Sequence, residues 1–456
     1  MSARDVATIV TEQGLGRALA SFSSRLRYDD LPDDVRTIAR HCVLDWLGCA
    51  FAGSREEAAR VVLAEAIEQG GAPQATIVGH GTRTGVLQAA LVNGTASHAL
   101  DTDDVQFARR IHASVSVLPA VLALAERDGG TGPELITAFV AGVETACRMG
   151  EFLTDAHHER GHHATGTLGT FGAAAGAARL LGLDAEATAA ALGIAATQAA
   201  GLKAVFGTMC KPLHAGKAAA NGLHAALLAA RGFGSRADVI ECDRGFAETH
   251  SPVRASVDEV EDLGAAFRIR DVLFKAHAAC YSTHASIEAA RALRAAHAID
   301  PEAIEAVEIR VPVANLETCN ITEPRTGLEA KFSLRLTAAM ALCGRDTADI
   351  GSFRDAACVD PELVTLRDRM RVVGDDGLAR GTSEMAVSMR DGSVHRRFCD
   401  VSRPETDLAK QERRLEAKFR ALAGPVIGEA SARDVIAMVG GLDSLDHVRQ
   451  VVRIRG

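Results

Sequence analysis

The stretch "EMAVSMRDGSVHRRFCDV", Glu384 to Val401, decides the fold, because it breaks the helical rhythm of the chain. Apolar and polar residues alternate on either side of Asp391-Gly392, the strongest short-range signal for two strands joined by a tight turn. Upstream, "EAVEIRVPV" (Glu305 to Val313) alternates in the same way and predicts a third strand. Beyond Pro404, "LAKQERRLEAKFRALAG" returns to the helical period. From about Asp33 to about Gly234 the apolar residues also recur at helical spacing, as in "VRTIARHCVLDWLGCAFAG" and "VSVLPAVLALAER". A further helix, "THASIEAARALRAAHAID", should end at Pro301. These patterns predict a mainly α protein in which a large all-α domain is discontinuous. Residues 1–268 and 403–456 form it, and a smaller α+β domain at 269–402 is inserted between its pieces.

Composition narrows the function. The 456 residues are 47% hydrophobic and 24% charged, enough to bury a large core. A net charge of -9, with basic residues dispersed among acids, argues against a nucleic-acid partner. No apolar run is long enough to span a bilayer, and the N-terminus lacks the pattern of a signal peptide. The ten cysteines are scattered without C-x-x-C pairs or disulfide-like spacing, so a cytoplasmic location is expected. Aromatic residues make up only 4%, so Ala, Leu, Val and Gly must build the core and let helices approach closely.

The chemistry concentrates in a few places. In "HALDTDDVQFARRIHAS" (His98 to Ser114), Asp101, Asp103 and Asp104 precede His112. Three readings stand: a metal site, an acid/base site in which Asp101 orients His112, and a solvated acidic loop. The acid/base reading is favoured, since a carboxylate that orients an imidazole is the usual device for a base near neutral pH. "HHERGHHATGT" holds His157, His158, His162 and His163, but no carboxylate or thiolate at zinc spacing accompanies them. Imidazoles opening a helix beside Thr165 and Thr167 suit anion binding or acid/base work better. The glycines at 166, 169, 172 and 176 match neither phosphate-loop spacing, and close helix contact accounts for them. In "FGTMCKPLHAGKAAANG", Pro212 places Lys211 in the first turn of a helix, where the dipole opposes a cation, which favours carboxylate binding by Lys211 over a structural role.

Together these stretches resemble the MmgE/PrpD family, which includes 2-methylcitrate dehydratase, cis-aconitate decarboxylase and iminodisuccinate epimerase. The resemblance is carried by "NGTASHALDTDDV", "GHHATGTLGTFGAAAGAARLLGL", "FGTMCKPLHAGKAAANGLHAALLAARGF", "ACYSTH" and "EAKFS", in order along the chain, and by His-Ala-Ser at His112. It implies a cofactor-free and metal-free homodimeric enzyme with a large helical domain, an α+β lid and an active site between them. Family site positions fall on Asp101, His112, His163 and Lys211 as catalytic residues. Asp104, Thr165, His214, Cys280, Tyr281 and His284 are the expected substrate contacts. Val105 stands where family decarboxylases carry Thr, Cys280 where they carry His, and His158 where a Tyr precedes the G-x-H-x-T motif of the epimerases. The resemblance therefore implies a lyase of the dehydratase type acting on a di- or tricarboxylate, with an epimerase, a decarboxylase and a carboxylate-binding protein as alternatives.

Overall fold

The structure is a computed structural model, and it describes residues 14–255 and 262–454. The chain forms two units. One runs up to Phe274 and resumes at Glu405; the other is Lys275–Pro404. The first junction thus falls after Phe274 rather than after residue 268, because Val272–Leu273 pairs with Val105–Gln106 inside the first unit.

The first unit is built from helices α1 (Leu15–Arg25), α2 (Asp33–Gly53), α3 (Glu57–Gln69), α4 (Val86–Ala99), α5 (Ala113–Asp128), α6 (Gly132–Glu159), α7 (Ala164–Leu180), α8 (Ala185–Ala196) and α9 (Cys210–Ala229). Small residues set their spacing. A Cβ on Gly94 of α4 would lie 2.7 Å from the Gly216 Cα of α9, and one on Gly216 only 2.2 Å from the Leu91 carbonyl oxygen. Likewise Gly172 and Gly176 of α7 face the Gly142 and Ala138 carbonyls of α6. The glycine-rich stretch is therefore a helix–helix contact, as its spacing implies. α5 and α7 are buried along almost their whole length, which apolar all-round sequences allow. α6 is interrupted at Thr154, whose φ of 58° turns the last segment and redirects His157 and His158.

The second unit holds α10 (Tyr281–His297), α11 (Leu334–Leu342) and α12 (Pro361–Asp368) against a four-stranded sheet. Its strands are β1 (Ile304–Val311), β2 (Met370–Gly374), β3 (Thr382–Met389) and β4 (Val394–Asp400), ordered β2-β1-β3-β4. β3 and β4 pair antiparallel across the Asp391-Gly392 turn, with Gly392 at φ 87°. The buried positions Ile304, Val307, Ile309 and Val311 of β1 face the core. β2, which pairs parallel to β1, was not anticipated. The chain then re-enters the first unit as α13 (Leu408–Ile427) and α14 (Glu429–Gly440), and Phe419 of α13 sits against Gly48 of α2. Among the described residues no helix is long and apolar enough to cross a membrane.

Candidate active site

Four helix ends converge in the first unit. His98 lies in the last turn of α4, His112 caps the N-terminus of α5, His163 caps α7, and Lys211 is in the first turn of α9. Three of these are N-terminal ends, whose unpaired N–H groups and dipoles favour an anion. The histidine rings are close: His98 lies 4.8 Å from His112 and 5.9 Å from His163, centroid to centroid.

The turn between α4 and α5 distributes its carboxylates in different directions. Asp101, at φ 55°, reaches the Lys211 Nζ at 2.8 Å. Asp103 lies under both imidazoles, with its Oδ2 3.0 Å from His98 Nδ1 and 2.7 Å from His112 Nδ1. His112 Nδ1 is also 2.8 Å from the Asp104 carbonyl oxygen. A carbonyl oxygen only accepts, so Nδ1 of His112 carries the hydrogen and Nε2 is left with a lone pair. The expectation set Asp101 against His112; the structure sets Asp103 at His112 Nδ1 and Asp101 at the lysine, with Asp101, Asp103 and His112 in one cluster.

Two further expected contacts have partners within the protein. Asp104 is buried away from the imidazoles: it accepts from the Ser114 hydroxyl at 2.5 Å, and its N–H donates to Asp45. Burial, with Asp45 adding repulsion, pushes its carboxyl up to about 8. Thr165 is fully buried, and its hydroxyl oxygen accepts the His112 N–H at 3.1 Å. It fixes the backbone entering α5.

His163 Nδ1 and His214 Nδ1 are 2.9 Å apart, and the His163 ring stands edge-on to Phe206. Burial, followed by the neighbouring His98 and Lys211, holds His163 well below the ordinary imidazole range. Burial also pushes His98 down to about 4 against the opposing pull of Asp103. Both rings are neutral near pH 7. His112 keeps 13% of its side chain exposed, whereas His98 has none, which makes His112 the imidazole of that pair that a ligand can reach.

His98, Asp101, Asp103 and His112 bring one ligand atom each within 4.8 Å of one another, the donor set among the described residues that could hold a divalent ion. Their atoms are already engaged: Asp103 holds the two imidazoles and Asp101 holds an ammonium group. Among the described residues, His157 and His158 at the end of α6 and His162 beyond it form no such set. His157 bonds the His250 carbonyl and the Thr167 hydroxyl, and its ring stacks on His162 at 4.6 Å.

Cys280, Tyr281 and His284 belong to the second unit, where they open α10. The Tyr281 hydroxyl donates to the Val401 carbonyl at 2.6 Å, and its ring stacks on His284 at 4.6 Å. His284 Nε2 lies 3.2 Å from the Ala279 carbonyl oxygen. The thiol of Cys280 pairs with that of buried Cys319.

Sequence reading missed the role of His98 and Asp103, although both lie in the stretch that names Asp101 and His112. The five-residue spacing between them, which puts a helix-end imidazole over the following loop, was the available signal.

Comparison with known proteins gives a consistent set of matches. Residues 17–256 match the MmgE/PrpD N-terminal domain and residues 277–444 the MmgE/PrpD C-terminal domain. Cis-aconitate decarboxylase of Homo sapiens is 29% identical over 95% of this chain and 93% of its own length. That of Aspergillus terreus is 27% identical over 97% and 96%. A cis-aconitate decarboxylase-like protein of Aspergillus oryzae is 31% identical over 60% of this chain and 61% of its own length.

Proposed function

The chain belongs to the MmgE/PrpD family, and from that premise we propose that it is a cofactor-free lyase of the dehydratase type, moving a proton on carbon next to a carboxylate of a di- or tricarboxylate. One observation carries the reading. Asp103 and the Asp104 carbonyl hold His112 by Nδ1, which leaves Nε2 as the proton acceptor with a carboxylate behind the ring to stabilise the imidazolium. Removing such a proton places charge on carbon and its neighbouring carboxylate. Lys211 and the three helix N-termini are arranged to meet that charge. His163 and His214 are bonded through their Nδ1 atoms, so whichever ring accepts there keeps an Nε2–H for a further carboxylate oxygen.

The same groups serve loss of water, where His112 takes the proton and hydroxide leaves as water once protonated. They also serve loss of carbon dioxide, where the carbon that gives up CO2 receives the proton. The names of the relatives favour cis-aconitate as the first substrate to offer, while epimerisation of a dicarboxylate would use proton removal and return on opposite faces. The proposal includes a homodimer in the cytoplasm, no nucleic-acid or membrane partner, substrate contacts from Cys280, Tyr281 and His284, and no metal.

Purified protein offered cis-aconitate, hydroxylated tricarboxylates and dicarboxylates in D2O tests it. CO2 release or a new olefin, with deuterium exchange at the carbon next to a carboxylate, is the expected result. Exchange without bond cleavage would point to epimerisation. No exchange with any member of the panel would remove the reading.

A further inference from the structure

Lys418 lies in α13, in the segment that returns after the second unit, and is 316 residues from the loop it touches. Its Nζ is 2.5 Å from Asp45 Oδ1 and donates to the Thr102 carbonyl oxygen at 2.6 Å. The other oxygen of Asp45 accepts the Asp104 N–H at 3.0 Å. The Thr102 hydroxyl and the Cys49 thiol are 3.3 Å apart. The Asp101–Asp104 turn is thus tethered at two backbone points by one ion pair, whose carboxylate is fully buried and whose lysine is partly exposed. The turn needs holding. Asp101 is left-handed at φ 55°, a conformation uncommon outside glycine, although Asp adopts it more readily than most residues. It also packs Asp103 and Asp104 near Asp45, whose side chain is fully buried. Without a cation there, the Asp45 and Asp103 carboxylates would repel each other in the interior, with the Asp104 carboxyl beside them.

We infer that Lys418 is a positioning residue of the active site: it holds the Asp101–Asp104 turn in the form that sets Asp103 under His98 and His112. It acts through Asp45 and the Thr102 carbonyl. A merely structural role, fastening α13 to α2, is already filled by apolar contacts. Phe419 packs on Gly48 and edge-on to Phe51 at 6.3 Å, and Leu422 touches Gly48 from the same helix. The inference rests on the proposed function for its catalytic meaning, but its geometric content does not.

The test compares Lys418→Met and Lys418→Arg with the wild-type protein, labelled with 15N-histidine. In wild type, His98 and His112 should both show the Nδ1–H tautomer in long-range nitrogen–proton spectra. Lys418→Met should disturb those two signals and lower kcat on the carboxylate substrate by about tenfold or more, with KM within about twofold. Lys418→Arg, which keeps a charged donor, should recover most of both. If Lys418→Met does not fold, Lys418→Gln carries the same test, since it keeps one N–H for Thr102 and loses the charge. An unaltered histidine spectrum with wild-type kcat in a folded variant lacking the cation overturns the inference. So does a loss confined to KM, or Lys418→Arg behaving like Lys418→Met. Should the wild-type protein turn over no carboxylate, the functional reading fails and the histidine spectra alone decide the positioning role.

Discussion

Asp101, Asp103 and Asp104 are one residue type in one short turn, and each has a different job set by its direction. Asp101 pairs with Lys211, Asp103 lies against two imidazoles, and Asp104 is an interior carboxyl whose titration burial raises. The stretch betrayed its chemistry in sequence, but not this division, because direction depends on a left-handed residue and on tethers from distant segments. Asp104 offers a thermodynamic check. Its folded carboxyl is raised to about 8 while an unfolded Asp titrates at 3.8, so folding is penalised above pH 3.8 and the penalty grows until about pH 8. Asp104→Asn should therefore stabilise the protein at pH 8, by on the order of 2–4 kcal/mol after allowance for coupling to Asp45. The gain should vanish as pH falls to about 4. Melting temperatures of both proteins across that range check it, and a pH-independent difference would contradict the assignment.

Helix ends do the functional work, and glycine contacts bring them together. The helical period of α2, α5 and α13 was legible, as were the β3–β4 hairpin and the return to helix after Pro404. β2 was not, because "RMRVVGDDG" mixes charge with a short apolar run and only pairing with β1 makes it a strand. Lys211 was legible as a cation at a helix start, yet its partner Asp101 was not. The pair is nearly buried, with side-chain exposures of 9% and 6%. Lys211→Met should therefore cost both activity and about 3 kcal/mol of stability, since it strands a buried carboxylate. Adding Asp101→Asn should restore much of the stability and none of the activity. Recovery of activity along with stability would make the lysine structural. Gly216→Ala tests the contact behind these ends. Its Cβ would meet the Leu91 carbonyl at 2.2 Å and the Thr95 hydroxyl at 2.4 Å, and backbone cannot yield as a flexible side chain would. A loss of about 2 kcal/mol or more is expected on chemical denaturation, with reduced turnover as α4 and α9 are forced apart.

Across the whole molecule, discontinuity matters to function, because the C-terminal segment supplies Lys418 beneath the active-site turn. Periodicity revealed that the segment rejoins the helical unit, but nothing local marked which residue would reach the loop. His98, Asp101, Asp103 and His112 could hold a divalent ion, whereas the proposed function uses them as acid/base machinery. Dialysis against a strong chelator should leave turnover unchanged; loss restored by a divalent ion would reassign the cluster. In the proposed mechanism His112 carries the proton and Asp103 serves that step through it. The most direct measurement is a double-mutant cycle of His112→Asn and Asp103→Asn, read as kcat for deuterium exchange and turnover. Each single variant should lose about 10²-fold or more, and the double variant should be scarcely worse than the poorer single. Losses that multiply, or a His112→Asn variant with wild-type kcat, would contradict the account.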